Sequence, residues 1–211
     1  MLEVFTVGHS TQPIERFTAL LTGNNISAIA DVRSAPYSRH NPQFNREELR
    51  EALKQHSISY VFLGKELGAR SEDECCYVHN KVSYRILATT DLFRAGLKRV
   101  IEGAQKYRVA LMCAERDPLD CHRTILVSRE LEKLGIRVSH ILQNGMMESH
   151  EAAMSRLVEQ LGIAEEDMFR PREAAIELAY EHQGQLIAYD RNPVASSPRR
   201  SPADQERGAT S

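Results

Sequence analysis

Arg108-Val-Ala-Leu-Met-Cys-Ala-Glu-Arg-Asp-Pro-Leu-Asp-Cys-His-Arg123 is the stretch on which the reading of this chain turns. Val109 to Met112 is a short apolar run bounded by charge, the pattern of a strand buried on both faces of a parallel sheet. The run ends at Cys113 and Glu115, passes Asp117-Pro118, and restarts at Cys121-His122-Arg123 as a helix expected over Thr124 to Leu134. Strand, polar loop and helix start form the place where α/β proteins bind anions and do chemistry. A thiol at such a helix start has its thiolate favoured by backbone N–H groups.

Working outward, the same alternation repeats. Val4–Val7 reads as a strand ending in Gly8-His9-Ser10, followed by a helix from Ile14 to Leu21. Ala28–Val32 reads as a second buried strand that delivers Asp31 and Arg33 to its end. The polar loop after it carries Arg39 and His40, and Asn45 is placed to cap a helix to Gln55, with Glu48 in the capping-box position. Ile58–Leu63 is the third strand, and Gly64–Lys81 reads as a long Gly-rich, charged loop. Helical patterns at Tyr84–Ala88 and Leu92–Tyr107 lead to the central strand. Val138–Leu142 is the last strand, and Glu148–Leu161 and Pro171–Tyr189 are amphipathic helices.

This order implies a single three-layer α/β domain over residues 1–190, its mainly parallel sheet of about five strands flanked by helices. Arg191–Ser211 is rich in Ser, Pro and Arg without an apolar face, and reads as a disordered tail. The chain has 211 residues, 42% of them hydrophobic, and a formal net charge of −2. That balance gives no global sign of a nucleic-acid coat or a membrane surface protein. No apolar run nears the roughly 20 residues of a membrane helix. Met1-Leu-Glu-Val-Phe-Thr-Val lacks the layout of a signal peptide, and four cysteines in a chain this long are not a secreted disulfide framework, so the expectation is a cytoplasmic protein.

Gly8-His9-Ser10, Asp31-Val32-Arg33, Pro36-x-Ser38-Arg39, Leu63-Gly64 with Leu67-Gly68, and Cys113-x-Glu115-x-x-Pro118-x-x-Cys121-His122-Arg123 occur together here. In this combination the chain resembles domain of unknown function family 488, over roughly residues 4–190 and including the late helix at Pro171-Arg-Glu-Ala-Ala-Ile-Glu. The resemblance implies a fold and a motif but no established reaction. Cys75, Cys76 and His79 fall outside the family's motifs.

In a parallel sheet the carboxyl ends of the strands share one edge, so His9, Asp31, Arg33, Cys113 and Glu115 should meet there. Cys113 and Cys121 read either as a nucleophile or redox pair, or as a buried strand cysteine and a capping cysteine. Their spacing fits neither stock pattern: a cysteine phosphatase loop would need Arg where Leu119 stands, and seven residues separate the cysteines where a thioredoxin-type pair has two. Arg33, Arg39, Arg116 and Arg123 suit phosphate or carboxylate, although Arg33 could equally pair with Asp31 or Glu115. Cys113, Cys121, His122 and His9 could ligate zinc, but adjacent Cys and His on a helix diverge, which argues against a metal. His9 and His122 are the acid–base candidates.

The expected function is an enzyme-like α/β protein at a Cys/His/Arg site. It would act on or bind a phosphate-bearing small molecule, nucleotide or nucleic-acid component. His9, Cys113, Glu115, Cys121 and His122 would be catalytic, and Asp31, Arg33, Arg39 and Arg123 would bind substrate. A non-catalytic nucleotide or nucleic-acid binding module, and a thiol-redox or zinc-binding protein, are the alternatives. Cofactor and oligomeric state stay open.

Overall fold

A computed structural model describes residues 2–164 and 171–192. In chain order it runs β1 (Glu3–Gly8), α1 (Ile14–Gly23), β2 (Ala28–Asp31), α2 (Arg46–Gln55), β3 (Ser59–Phe62) and α3 (Gly64–Leu67). The short strands β4 (Tyr77–Val78) and β5 (Lys81–Val82) follow, then α4 (Tyr84–Leu87), α5 (Asp91–Ala104) and β6 (Val109–Cys113). After a π-helical turn at Arg123–Ser128 come α6 (Arg129–Lys133), β7 (Arg137–Ile141), β8 (Met147–Ser149), α7 (His150–Gln160) and α8 (Arg172–Ile187).

The fold is the three-layer α/β domain that the alternating pattern implies. Its main sheet has six strands in the order β3-β2-β6-β1-β7-β8, all parallel except β8. A sixth, antiparallel edge strand completes the mainly parallel sheet of about five strands that the sequence implies. Met147–Ser149, too short to carry an alternating pattern, pairs antiparallel with β7 in front of α7, where helix was expected from Glu148. Every residue of β6 is buried, as its unbroken apolar run requires, because β2 and β1 flank it and helices cover both faces.

Two apolar layers sandwich the sheet. Phe17 and Leu21 of α1, with Leu49 and Leu53 of α2, lie one turn apart and pack on Phe5, Val7, Ile29, Ala110 and Met112. The opposite layer holds Val109, Leu111 and Cys113 of β6, with Phe93 and Leu97 of α5, Leu126 of the π-turn and Ala179 of α8. Period 2 along the strands thus sends Cys113 to the α5/α8 side, while Asp31, aligned with Met112, belongs with the α1/α2 side.

Three further local expectations are corrected. The Gly64–Lys81 loop contains α3, a 3₁₀ turn at Glu74–Cys76 and the β4–β5 ribbon, and Cys76 is buried in the core while Cys75 is exposed. Asn45 stands at the N-cap of α2, but its Oδ1 accepts the Ser38 N–H at 2.8 Å, so it fastens the preceding loop and does not cap the helix. The expected Thr124–Leu134 helix opens as the π-turn. The tail expected over Arg191–Ser211 lies outside the described residues from 193 on; Arg191, within them, donates to the Asn80 carbonyl at 3.0 Å and stacks over Tyr77.

Candidate functional site

The carboxyl edge of the sheet carries two polar clusters, one on each face. On the α1/α2 side Asp31, fully buried, accepts from Arg33 Nε at 2.9 Å and Nη2 at 2.7 Å, and from the Tyr60 hydroxyl at 2.8 Å. Nη2 of Arg33 also donates to the Phe44 carbonyl at 2.9 Å, and Nη1 meets His9 Nε2 at 3.2 Å. Nδ1 of His9 contacts the Ser10 carbonyl at 2.7 Å, which fixes the proton there and leaves Nε2 to accept from Arg33. The ring stacks on Phe44 at 4.2 Å. Burial, with the Arg33 charge beside it, lowers the His9 pKa to about 4. His9 is therefore a neutral strut behind Arg33, and four of the five N–H groups of Arg33 are placed within the fold.

On the other face, Cys113 ends β6 and Cys121 ends a 3₁₀ turn at Pro118–Asp120. Asp117 starts that turn by accepting the Leu119 N–H at 2.9 Å, and Gln183 of α8 donates to the Leu119 carbonyl at 2.9 Å. Arg156 of α7 grips Asp117 with both Nη atoms, at 3.0 and 3.1 Å, and Glu148 with Nε and Nη2. The loop is thus held from two helices.

Its side chains converge. His122 Nδ1 lies 3.7 Å from Cys113 Sγ and 3.9 Å from Cys121 Sγ, and its Nε2 is 3.0 Å from the Val32 carbonyl. The Cys121 thiol donates to Oε2 of Glu115 at 2.9 Å and accepts the Arg123 N–H at 3.4 Å. Arg123, 1% exposed, spends Nη1 on the Glu115 carbonyl at 2.9 Å and Nη2 on that of Arg116, leaving its buried Nε without a partner. Gly8 is required here because a Cβ on it would stand 1.9 Å from the Glu115 carbonyl oxygen.

The electrostatics separate the two thiols. Burial pushes the Cys113 thiol well up. Burial alone would raise Cys121 too, but the Cys113 thiol donating to it and the charges of Arg123 and His122 outweigh that and hold it well below its ordinary value. Glu115 is raised by its enclosure and by Cys121, so the shared proton is drawn toward the carboxylate. His122 is raised because its contact with Cys121 outweighs the desolvation of the ring.

A cleft of about 240 Å³ opens on this cluster, lined by Cys113, Glu115, His122, Arg33, Arg70 and Tyr84 among others. Larger hollows between α5 and α8 and elsewhere lack this convergence of thiol, imidazole and carboxylate. Cys121 and Arg123 sit behind the cleft wall. Arg39 lies apart, on the exposed loop before α2. The cleft also gathers Arg70 and Asp120, to which the motif spacing does not point, and Tyr84, which from sequence could stack on a base or pack in the core. Arg70 comes from the segment read as a loop, and only the tertiary fold brings these side chains to the cleft.

The family profile described as "Domain of unknown function DUF488" matches residues 13–129, more than half of the chain. The chain belongs to the DUF488 family. No curated protein and no solved structure matches it. The DUF488 match takes in Asp31–Arg33 and the whole Cys113–Arg123 segment, beginning after His9 and ending before α7 and α8, which brace the loop. Among the described residues no helix is long and apolar enough to cross a membrane.

The one group of metal-ligand atoms among the described residues is Cys113, Cys121 and His122, all buried, with their ligand atoms within 4.8 Å of one another. The divergence expected of adjacent Cys and His does not occur. Cys121 is extended (φ −134°, ψ 139°) and His122 begins the helical path (φ −60°, ψ −25°), so the pair straddles a bend and both side chains turn to Cys113. His9, the fourth ligand considered from the sequence, is engaged elsewhere.

Proposed function

We propose that this chain is an enzyme acting on a small phosphate-bearing substrate, with its reaction in the cleft at the end of β6. One observation carries the reading: a thiol, an imidazole and a carboxylate from Cys113, His122 and Glu115 line a single cleft, with the Cys121 thiol in contact with them directly behind its wall. Burying four such groups together costs folding free energy, and groups perturbed in this way gather where chemistry is done. Cys113 and His122 face the substrate; Cys121, Glu115 and Arg123 set their charge state.

The anion's counter-charge comes from a different set of arginines than the motif suggests. Arg33 keeps one N–H of Nη1 for a ligand, and Arg70 stacks on Tyr189 at 4.6 Å at the cleft wall. Arg123 holds the loop and Asp31 holds Arg33, so both support the site without touching substrate. Nucleotides fit the same chemistry, with the phosphate toward Arg33 and Arg70 and the Tyr84–Tyr189 side for a planar base.

Calorimetry with inorganic phosphate and a panel of nucleoside monophosphates tests this. Arg70→Ala should weaken binding at least tenfold, as expected for losing a hydrogen bond to a charged group at about 1.5–3 kcal/mol. Phosphate affinity unchanged by Arg70→Ala and Arg33→Ala would remove the reading.

A further inference from the structure

We infer that Cys113, Cys121 and His122 together hold one zinc ion whose fourth position opens on the cleft. This rests on reading the cleft as the reaction site, and it names the group that would polarise the substrate there.

Geometry is the first support. Zinc takes thiolate sulfur at about 2.3 Å and imidazole nitrogen at about 2.0–2.1 Å in a tetrahedron, so sulfur and nitrogen ligands stand about 3.6 Å apart. His122 Nδ1 stands 3.7 and 3.9 Å from the two sulfurs, and all three atoms lie within 4.8 Å of one another. Small rotations about side-chain bonds would close the set on an ion.

The support around the ligands is the second. A carbonyl can only accept, so the 3.0 Å contact from His122 Nε2 to Val32 O places a proton on Nε2 and aims Nδ1 at the sulfurs. Such an outer hydrogen bond is the usual device that orients a metal-bound imidazole. The Arg123 N–H on Cys121 Sγ at 3.4 Å does the same for a thiolate.

Charge is the third. Two thiolates neutralise a divalent ion, and the Arg123 main-chain N–H and guanidinium lie on the Cys121 side of the set. Two sulfurs and one imidazole select zinc over magnesium or calcium. Three protein ligands with an open position are the pattern of catalytic zinc, and Cys113 and His122, two of the three, line the cleft. There the ion would polarise a phosphoryl or carbonyl oxygen of the substrate, with Glu115 alongside to hold a proton.

The test uses the full chain, purified reduced with zinc supplied and analysed for bound metal. One zinc per chain is expected, falling at least tenfold in Cys113→Ser and Cys121→Ser and unchanged in Cys75→Ser. Because serine in a buried site can unfold the chain, stripped wild-type protein is also titrated with Co²⁺. Saturation at one ion per chain, with sulfur-to-cobalt charge-transfer and strong tetrahedral d–d bands, is the expected signature. Less than a tenth of an ion per chain with both metals, in folded and reduced protein, overturns the inference. If metal fails to bind while Arg70→Ala still weakens phosphate, the zinc falls and the cleft reading stands. If zinc binds while phosphate affinity ignores Arg70 and Arg33, the ion is structural and the open-position inference falls with the cleft reading.

Discussion

Nε2 of His122 donates to the main-chain carbonyl of Val32 over 3.0 Å, joining residues 90 positions apart. The bond ties the motif after β6 to the end of β2 and decides which nitrogen of the ring faces the sulfurs. A His122→Gln variant keeps a donor but loses Nδ1. Stability should fall by about 1–2 kcal/mol while metal uptake is lost, measured by denaturation and metal analysis on the same preparation. Full metal occupancy in that variant would show that Nδ1 has no role.

The Asp31–Arg33 pair should be the costliest polar contact to break. Asp31 is fully buried and Arg33 is 6% exposed, so Asp31→Ala leaves an uncompensated guanidinium. A loss of about 3–5 kcal/mol is expected from denaturant unfolding. Tyr60→Phe removes one hydrogen bond to the same carboxylate and should cost about 1 kcal/mol.

Acid should unfold this protein through its buried histidines. Burial lowers His9 and His150 to about 4 and holds His140 well below its ordinary value, with His150 beside it adding to the effect. His140 and His150 lie in a buried chain from Thr6 to Tyr180, with links of 2.8, 3.1 and 2.5 Å. The unfolded chain takes up these protons near pH 6.5 and the folded chain does not. Their stability is therefore fully present above about 6.5 and drains as pH falls toward 4, by about 1.4 kcal/mol per pH unit for each histidine. Thermal melts between pH 7.5 and 4.5 should show this slope reduced in His150→Gln. A flat profile would mean that these rings titrate freely.

The motif's length and spacing were legible in sequence, and so was the layering. The apolar run Val109–Met112 specifies a doubly buried strand, and the alternation of helix and strand around it leaves few topologies. Sequence also placed His9, Asp31, Arg33, Cys113 and Glu115 at one edge. It could not give the face, because that depends on register: one residue's difference sends Asp31 and Cys113 to opposite sides of the sheet. Nor could it decide between anion binding and the Asp31 pairing for Arg33, which takes up all but one of its N–H groups within the fold, or show that Arg123 is spent on loop carbonyls, since guanidinium donors are assigned by tertiary contacts. The convergence of Cys121 and His122 depends on a bend between them that a regular helix would lack.

Thiol accessibility follows from the same geometry. Cys75 is the one exposed cysteine, whereas Cys76, Cys113 and Cys121 are buried. A small alkylating reagent at neutral pH should label one thiol per native chain quickly, and mass spectrometry should place it on Cys75. Arg156→Ala, which frees Asp117, should change stability by no more than about 1 kcal/mol, given how far the group is exposed. It should still speed labelling of Cys113, which lies on the cleft. Equal rates for Cys75 and Cys76 would contradict the packing of the Glu74–Cys76 turn.

The most direct measurement is a diffraction experiment at the zinc absorption edge on crystals grown with zinc and inorganic phosphate. The account predicts an anomalous peak between Cys113 Sγ, Cys121 Sγ and His122 Nδ1, with phosphate in the cleft against Arg70 and the remaining N–H of Arg33. A Cys113–Cys121 disulfide, or zinc bound elsewhere with the cleft free of phosphate, would contradict it.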